Sequence, residues 1–166
     1  MYLMSPRSSK AAEPIGDAEY AQLLDFRDGI RRFLHWSETQ ARSVGLTATQ
    51  HQLLLAIRGH RDGAVDAHVD ARVDAQVDAQ VEPTMRAPTI GDVAAHLMLR
   101  HHSAVELVGR ALAAGLIDKI ADEDDHRIVR LKVSTDGERR LAALSRQHLE
   151  ELRRLAPRLR PLWAGL

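Results

Sequence analysis

The chain has 166 residues, a mass of 18.5 kDa and a formal net charge of zero, so it has the size of one domain and no overall charge that would by itself indicate nucleic acid. Cysteine is absent, which excludes disulfides, thiolate metal sites and thiol redox chemistry. No stretch approaches the ~20 consecutive apolar residues of a membrane span, and the N-terminal segment lacks the apolar core of a signal peptide. We therefore expect a soluble, cytoplasmic protein in which residues 1–16 form a disordered tail.

Two helices are predicted before the middle of the chain. From residue 17 to about residue 44, apolar side chains recur at helical spacing: Leu23, Phe26, Ile30, Phe33, Leu34, Ala41 and Val44. Gly45 stands where such a helix would end. Thr47 and Gln50 then have the spacing of a capping box, and the apolar stripe of a second helix comes next at Leu53, Leu54 and Ile57.

A four-residue repeat occupies the middle of the chain. Residues 64–82 read "AVDAHVDARVDAQVDAQVE" and carry five acids and one base, so the remainder of the chain has 22 bases, 18 acids and a mildly basic balance. A helix would rotate each successive valine by ~40°, and the alternation runs far beyond the usual five or six residues of a strand. We predict an exposed, mostly disordered low-complexity insertion at residues 61–87, with a helical extension of the second helix as the alternative.

After the insertion, two short helices are separated by a tight turn. Thr89 and Asp92 have capping spacing and precede an inner face formed by Ile90, Val93, Ala94 and Leu97. Ser103 and Glu106 repeat that spacing, and Gly115 closes the second helix. Its predicted inner face consists of Ala104, Val105, Val108, Ala111 and Leu112. This arrangement is typical of a helix-turn-helix.

The periodicity then changes to that of strands. Residues 116–121 and 127–133 are short and rich in β-branched side chains, and the polar residues 122–126 lie between them, so the pair predicts a β-hairpin, or wing. Thr135 and Glu138 can cap a final helix that reaches about residue 155. Pro157 and Pro161 limit the remainder of the chain to a short tail.

These strings, in this order, resemble the MarR family of winged helix-turn-helix transcription regulators. "LTATQHQLLLAI" looks like the family's second helix, "TIGDVAAHLMLRHHSAVELVGRALAAGLIDK" like its helix-turn-helix and "DDHRIVRLKVSTDG" like its wing. The resemblance covers residues 20–60 and 88–155. It implies a mainly α fold with a small β-hairpin wing, in which residues 17–166 form one winged-helix domain with long N- and C-terminal dimerisation helices.

The resemblance further implies a DNA-binding transcription regulator, usually a repressor, that binds a pseudo-palindromic operator as a homodimer. Its recognition helix would present Arg100, His101, His102, Ser103, Glu106 and Arg110 to the major groove, and its wing would present Arg127 to the minor groove. Capping alone could explain Ser103 and Glu106, and Arg127 could instead pair with Asp125. Together with His96, the two histidines could suggest zinc, but no further ligand at suitable spacing completes such a set, so we predict no metal.

A small, often aromatic effector is also implied, between the dimerisation helices and the DNA-binding lobe. Arg32, His35 and Trp36 are the groups on the first helix that could contact it, although packing in a dimer interface is the favoured role of Trp36. The alternative function is a winged-helix interaction module without DNA binding. It is favoured by the acidic wing tip, residues 122–125, and by the seven acids that balance seven bases in residues 86–132.

An enzyme is not expected. The sequence has no glycine-rich phosphate loop, nucleophile elbow or HExxH zinc pair, and no carboxylate pair in an apolar setting. No cofactor is predicted either.

Overall fold

The computed structural model describes residues 15–61 and 86–159, with side chains as far as residue 157. Seven elements are present in order: α1 (Asp17–Ser43), α2 (Ala48–Arg58), α3 (Ile90–His96), α4 (His101–Ala113), β1 (Ile117–Ala121), β2 (Val129–Val133) and α5 (Thr135–Leu159). The predicted fold class, mainly α with a β-hairpin wing, is confirmed. The predictions for the repeat and for nearly all of the N-terminal tail lie outside the described residues.

Two of the predicted capping boxes begin their helices as expected. At the start of α2 the Thr47 hydroxyl accepts from the Gln50 backbone N–H at 3.2 Å, and the Gln50 side chain accepts from the Thr47 N–H at 2.9 Å. At the start of α3, Thr89 and Asp92 exchange the equivalent bonds at 3.3 and 2.8 Å. Each box satisfies two backbone donors that a helix start would otherwise leave free.

The third predicted capping box is wrong. Helix α4 begins at His101 with Arg100 as its N-cap, so Ser103 already lies in the first helical turn and does not cap it. The predicted inner face of α4 also needs one change, because Val105 is 44% exposed and Leu107 is buried in its place. With 3.6 residues per turn, positions 104, 107, 108 and 111 share one face, and position 105 is rotated away from it.

One apolar core joins α2, the helix-turn-helix and the hairpin. Leu53 and Leu54 of α2, Val93 of α3, Val108 of α4 and Leu131 of β2 are all fully buried within it. Helices α3 and α4 therefore pack through their inner faces, and the opposite side of α4 is left for solvent.

The hairpin is antiparallel, with Ile117 opposite Val133 and Ala121 opposite Val129. Its outer edge is bound to the residues just before α3. The Leu131 N–H donates to the Pro88 carbonyl at 2.8 Å, and Thr89 forms a β-bridge with Arg130. The wing is therefore fastened to the start of the helix-turn-helix as well as to its end.

Helix α5 differs from its prediction at both ends. Ser134 rather than Thr135 lies before the first turn: its hydroxyl accepts from the Gly137 N–H at 3.1 Å and donates to the Gly115 carbonyl at 2.6 Å. Gly137 packs so closely there that a Cβ would overlap the Leu116 carbonyl oxygen. The helix also continues through Pro157 to Leu159, because a proline in the final turn removes only one intrahelical bond.

The two long helices leave much apolar surface uncovered. Ala41 is the buried residue of α1, and the side chains of Leu23, Leu24 and Leu34 are more than half exposed. Leu149 and Leu152 of α5 are exposed as well. No helix within the described ranges is both long and apolar enough to cross a membrane.

Candidate nucleic-acid interface

The solvent face of α4 carries most of the predicted DNA-binding residues. Arg100, His101, His102, Glu106 and Arg110 are exposed, whereas Ser103 is half-buried. The first of these residues stands at the N-cap and the last in the third helical turn, so they extend along one side of the helix. The structure thus brings together five of the six predicted residues and turns the sixth partly inward.

The charges on this face are free to engage a partner. Arg110 and Glu106 approach to 3.9 Å, but both side chains are about two-thirds exposed, so this pair holds them only weakly. In the described part of the chain no carboxylate lies within ion-pair distance of Arg100, and its side chain makes no capping bond. A guanidinium exposed at the N-terminus of a helix can reach guanine or phosphate where such a helix enters a DNA groove.

The three histidines considered for zinc are not grouped together. His96 lies beside His60, which follows the end of α2, and the His60 Nδ1 and His96 Nε2 atoms are 3.1 Å apart. His96 therefore pairs with His60 and not with the exposed His101 and His102. No group of three or more metal-ligating side chains occurs among residues 15–61 and 86–157.

The acidic wing tip is less negative than its sequence indicates. Asp122 is 3% exposed and pairs with Arg130, and the hydrogen bond from that guanidinium holds the pKa of Asp122 below its usual range. Asp122 also accepts the backbone N–H groups of Asp124 and Asp125 at 2.9 and 3.0 Å. Asp124 in turn pairs with Arg86. Two of the four carboxylates at residues 122–125 are therefore matched by arginines and shape the wing.

Arg127 stands exposed at the wing tip, and its predicted pairing with Asp125 takes a different form. The Asp125 carboxylate accepts the Arg127 backbone N–H at 2.9 Å, which closes the turn without holding the guanidinium. No ion pair to the Arg127 side chain occurs within the described ranges. The backbone is fixed and the charge is left free, as an arginine that enters a minor groove would require.

The predicted effector residues divide into different environments. His35 lines a cavity of about 320 Å³ between α1 and α2, together with Leu34, Ser37, Glu38, Ala48, His51 and Gln52. Arg32 is exposed and does not line it. Trp36 is half-buried and packs against other rings of the same chain, with its ring centroid 4.9 Å from that of His148 on α5 and 5.9 Å from that of Phe33.

His51 and His148 are functional candidates that the sequence analysis missed. His148 Nδ1 lies 2.9 Å from the Leu144 carbonyl, which can only accept, so Nδ1 donates, and His148 Nε2 lies 2.7 Å from the Ser37 hydroxyl. His51 is 4% exposed, and its ring centroid is 4.7 Å from that of His148. Burial, followed by the charge of His148, lowers the pKa of His51 to about 4, and its buried Nε2 has no hydrogen-bond partner in the described residues.

The overall fold is shared with a set of solved structures. One, described as a MarR family transcription regulator, superposes with a TM-score of 0.62 at 16% identity, over 85% of this chain and 77% of the other. AbsC, a MarR family transcriptional regulator from Streptomyces coelicolor, gives a TM-score of 0.59 at 16% identity, over 86% and 81% of the two chains. The chain has the fold of the MarR regulators.

A third match holds nucleic acid. It is a variant of MepR from S. aureus bound to an oligodeoxyribonucleotide, with a TM-score of 0.51 at 18% identity, over 83% of this chain and 82% of the other. MepR is described as a transcription regulator of a multidrug efflux pump, and none of these three structures is described as an enzyme. No protein-family model matches the chain, and no curated protein matches it by sequence.

Proposed function

We propose that this protein is a DNA-binding transcription regulator, acting in the cytoplasm as a repressor, that binds a pseudo-palindromic operator as a homodimer and responds to a small aromatic ligand. The observation that carries the proposal is the exposed face of α4. Five polar or charged side chains lie there, and no partner among the described residues is strong enough to explain them, on a fold whose recognition helix enters the major groove. Arg127 adds a guanidinium at the wing tip that forms no ion pair within residues 15–61 and 86–157.

The uncovered apolar surface of the long helices supports the proposed dimer. Leu23, Phe26 and Ile30 line a further apolar cavity on α1, together with Arg27 and Arg31, and Leu149 and Leu152 of α5 are exposed. An apolar surface of this extent along two helices favours a second copy of the chain. A two-fold dimer would place its recognition helices on half-sites about one DNA turn, ~10 base pairs, apart.

The cavity between α1 and α2 supports the proposed binding of a small ligand. It is of a size for a small aromatic molecule, and it combines the apolar Leu34 and Ala48 with the polar or charged groups His35, Ser37, Glu38, His51 and Gln52. His51 adds a buried nitrogen without a partner in the described residues, which a ligand hydroxyl or carbonyl could satisfy. Because α1 contributes to dimerisation and α2 packs on the helix-turn-helix, a molecule bound there would contact both parts of the regulator.

The alternative, an interaction module without DNA binding, loses part of its basis. It rested on the acidic wing tip and on balanced charge; the charge of residues 86–132 stays balanced, but at the tip Asp122 forms a buried ion pair with Arg130 and Asp124 an exposed one with Arg86. The remaining acids of the tip are Glu123 and Asp125, and Asp125 is engaged in the turn.

Binding to the intergenic DNA upstream of the protein's own gene tests the proposal. We expect the binding constant to fall steeply with salt, by several units of log-log slope, because phosphate contacts release counterions. Arg100→Ala and Arg127→Ala should each weaken operator binding while the dimer persists in size-exclusion chromatography with light scattering. Arg146→Ala removes one exposed charge from α5 and serves as the matched control. Absence of salt-sensitive binding by the wild-type protein would refute DNA regulation and leave the interaction module.

A further inference from the structure

We infer that Val105 and Gly109 form an uncharged contact strip on α4, in which Val105 packs on a thymine C5-methyl group and Gly109 lets the helix backbone approach the DNA. The inference rests on the proposed function and deepens it, since it states which base feature the recognition helix reads at its centre. It concerns residues that the sequence analysis had assigned to the core or left without a role.

Val105 is the large apolar residue of α4 that is exposed to solvent. Ala104, Leu107, Val108 and Ala111 are buried, whereas Val105 is 44% exposed beside the polar Glu106. The fold therefore gains little from a β-branched apolar side chain there, and β-branching slightly lowers helix propensity. On the major-groove edge of DNA, the thymine methyl is the apolar group available to such a side chain.

Gly109 lies one turn further along the same face, because residues four apart are neighbours on a helix. A glycine within a helix costs about 0.5–1 kcal/mol relative to alanine. No contact within the described chain requires a glycine here, since a Cβ built at this position meets no atom within 4 Å. A requirement for glycine would then come from outside the chain, where a Cβ would hold the third turn of α4 away from the groove.

The two positions fit one contact. They are ~6 Å apart along the helix axis, which is less than two base-pair steps. His101 and His102 precede them in the first turn, and Glu106 and Arg110 come directly after each of them in sequence. The recognition face thus has polar groups at its margins and an apolar centre, so that hydrogen bonds and methyl packing would read adjacent bases.

Single-atom changes in the DNA test the Val105 contact. Duplexes selected by the wild-type protein from a random pool are remade with each thymine in turn replaced by deoxyuridine, which lacks only the methyl group, and titrated by fluorescence anisotropy. We expect one position in each half-site at which the replacement weakens wild-type binding about three- to fivefold, the effect of one buried methyl. Val105→Ala should bind the thymine and uracil duplexes equally. Leu55→Ala, at an equally exposed apolar residue of α2, should keep the wild-type discrimination.

Gly109→Ala tests the close approach with two readouts of opposite sign. The melting temperature of the free protein should rise, because alanine favours the helix and meets no obstacle. Affinity for the selected duplex should nevertheless fall about tenfold or more. A melting temperature that rises with unchanged affinity would overturn the role of Gly109.

The outcomes separate this inference from the proposed function. If the wild-type protein selects no duplex and shows no salt-sensitive binding, the DNA-regulator proposal itself fails. If it selects and binds duplexes but no thymine replacement matters, or if Val105→Ala leaves the discrimination intact, the methyl contact alone is refuted. Weaker binding of Val105→Ala to both duplexes, with the ratio of the thymine to the uracil affinity unchanged, also counts against the contact.

Discussion

We expect the replacement of His51 to make the stability of the folded chain less sensitive to acid. The ring is 4% exposed, and its pKa is lowered from 6.5 to about 4, first by burial and then by the charge of His148. The unfolded chain therefore takes up a proton in a range where the folded chain resists it. The contribution of the neutral His51 to the free energy of unfolding is fully present above pH 6.5 and is lost as the pH falls from there towards 4.

The size of the effect can be worked out from the two pKa values. At pH 5 the unfolded histidine is almost fully protonated, whereas the folded ring is mostly neutral. Linkage then gives a loss of at most about 2 kcal/mol per chain relative to pH 7.5. His51→Leu has no such proton and no buried nitrogen without a partner, so its stability should vary less with pH by about this amount.

Urea unfolding followed by circular dichroism, at pH 7.5, 6, 5 and 4.5 and at one protein concentration, measures the difference. His102→Leu, at an exposed histidine, is the control and should keep the wild-type pH dependence. If His51→Leu and the wild type lose stability in parallel between pH 6.5 and 4.5, the burial of a neutral His51 is not what makes the chain sensitive to acid.

Three further changes test other parts of the structure. Arg127→Ala should lower operator affinity about fivefold to tenfold in a titration and leave the melting temperature unchanged, because the side chain makes no ion pair in the described residues; a lower melting temperature would indicate a structural role. Gly137→Ala should destabilise the chain by more than about 3 kcal/mol in urea unfolding, since its Cβ would overlap the Leu116 carbonyl, and near-native stability would disprove that packing. Ile30→Glu should convert the dimer to a monomer in light scattering; a dimer that persists would place the interface elsewhere.

The sequence predicted the starts of helices correctly where the capping residues form hydrogen bonds only within their own turn. The Thr47–Gln50 and Thr89–Asp92 boxes begin α2 and α3 as predicted, because each satisfies donors within its own turn. The same spacing misled at Ser103, where the tight turn after α3 already sets the chain into the helix at His101. The spacing of Ser103 and Glu106 does not indicate at which residue the preceding turn ends and the helix begins.

Contacts between distant residues were not predictable in the same way. Arg130 was assigned only to an alternating strand, yet it joins Asp122 to the Ala87 carbonyl at 2.6 Å, across 43 positions of sequence. His51 gave no signal within its helix beyond a polar residue next to an apolar stripe. Its environment depends on His148, nearly one hundred residues later. For Val105, a strict count of helical angles would have found the exposure that an apolar pattern concealed.

The attachment of residues 86–89 to the wing has a consequence for how this gene can vary. The Arg130 and Leu131 bonds to Ala87 and Pro88 fix the chain immediately after the insertion, and buried His60 fixes it immediately before. The described residues on either side of the repeat are thus held by contacts among themselves. We expect forms of the chain with more or fewer copies of the Val-Asp-Ala unit to keep the position of the helix-turn-helix, so that the length of the repeat can change without displacing α3 and α4.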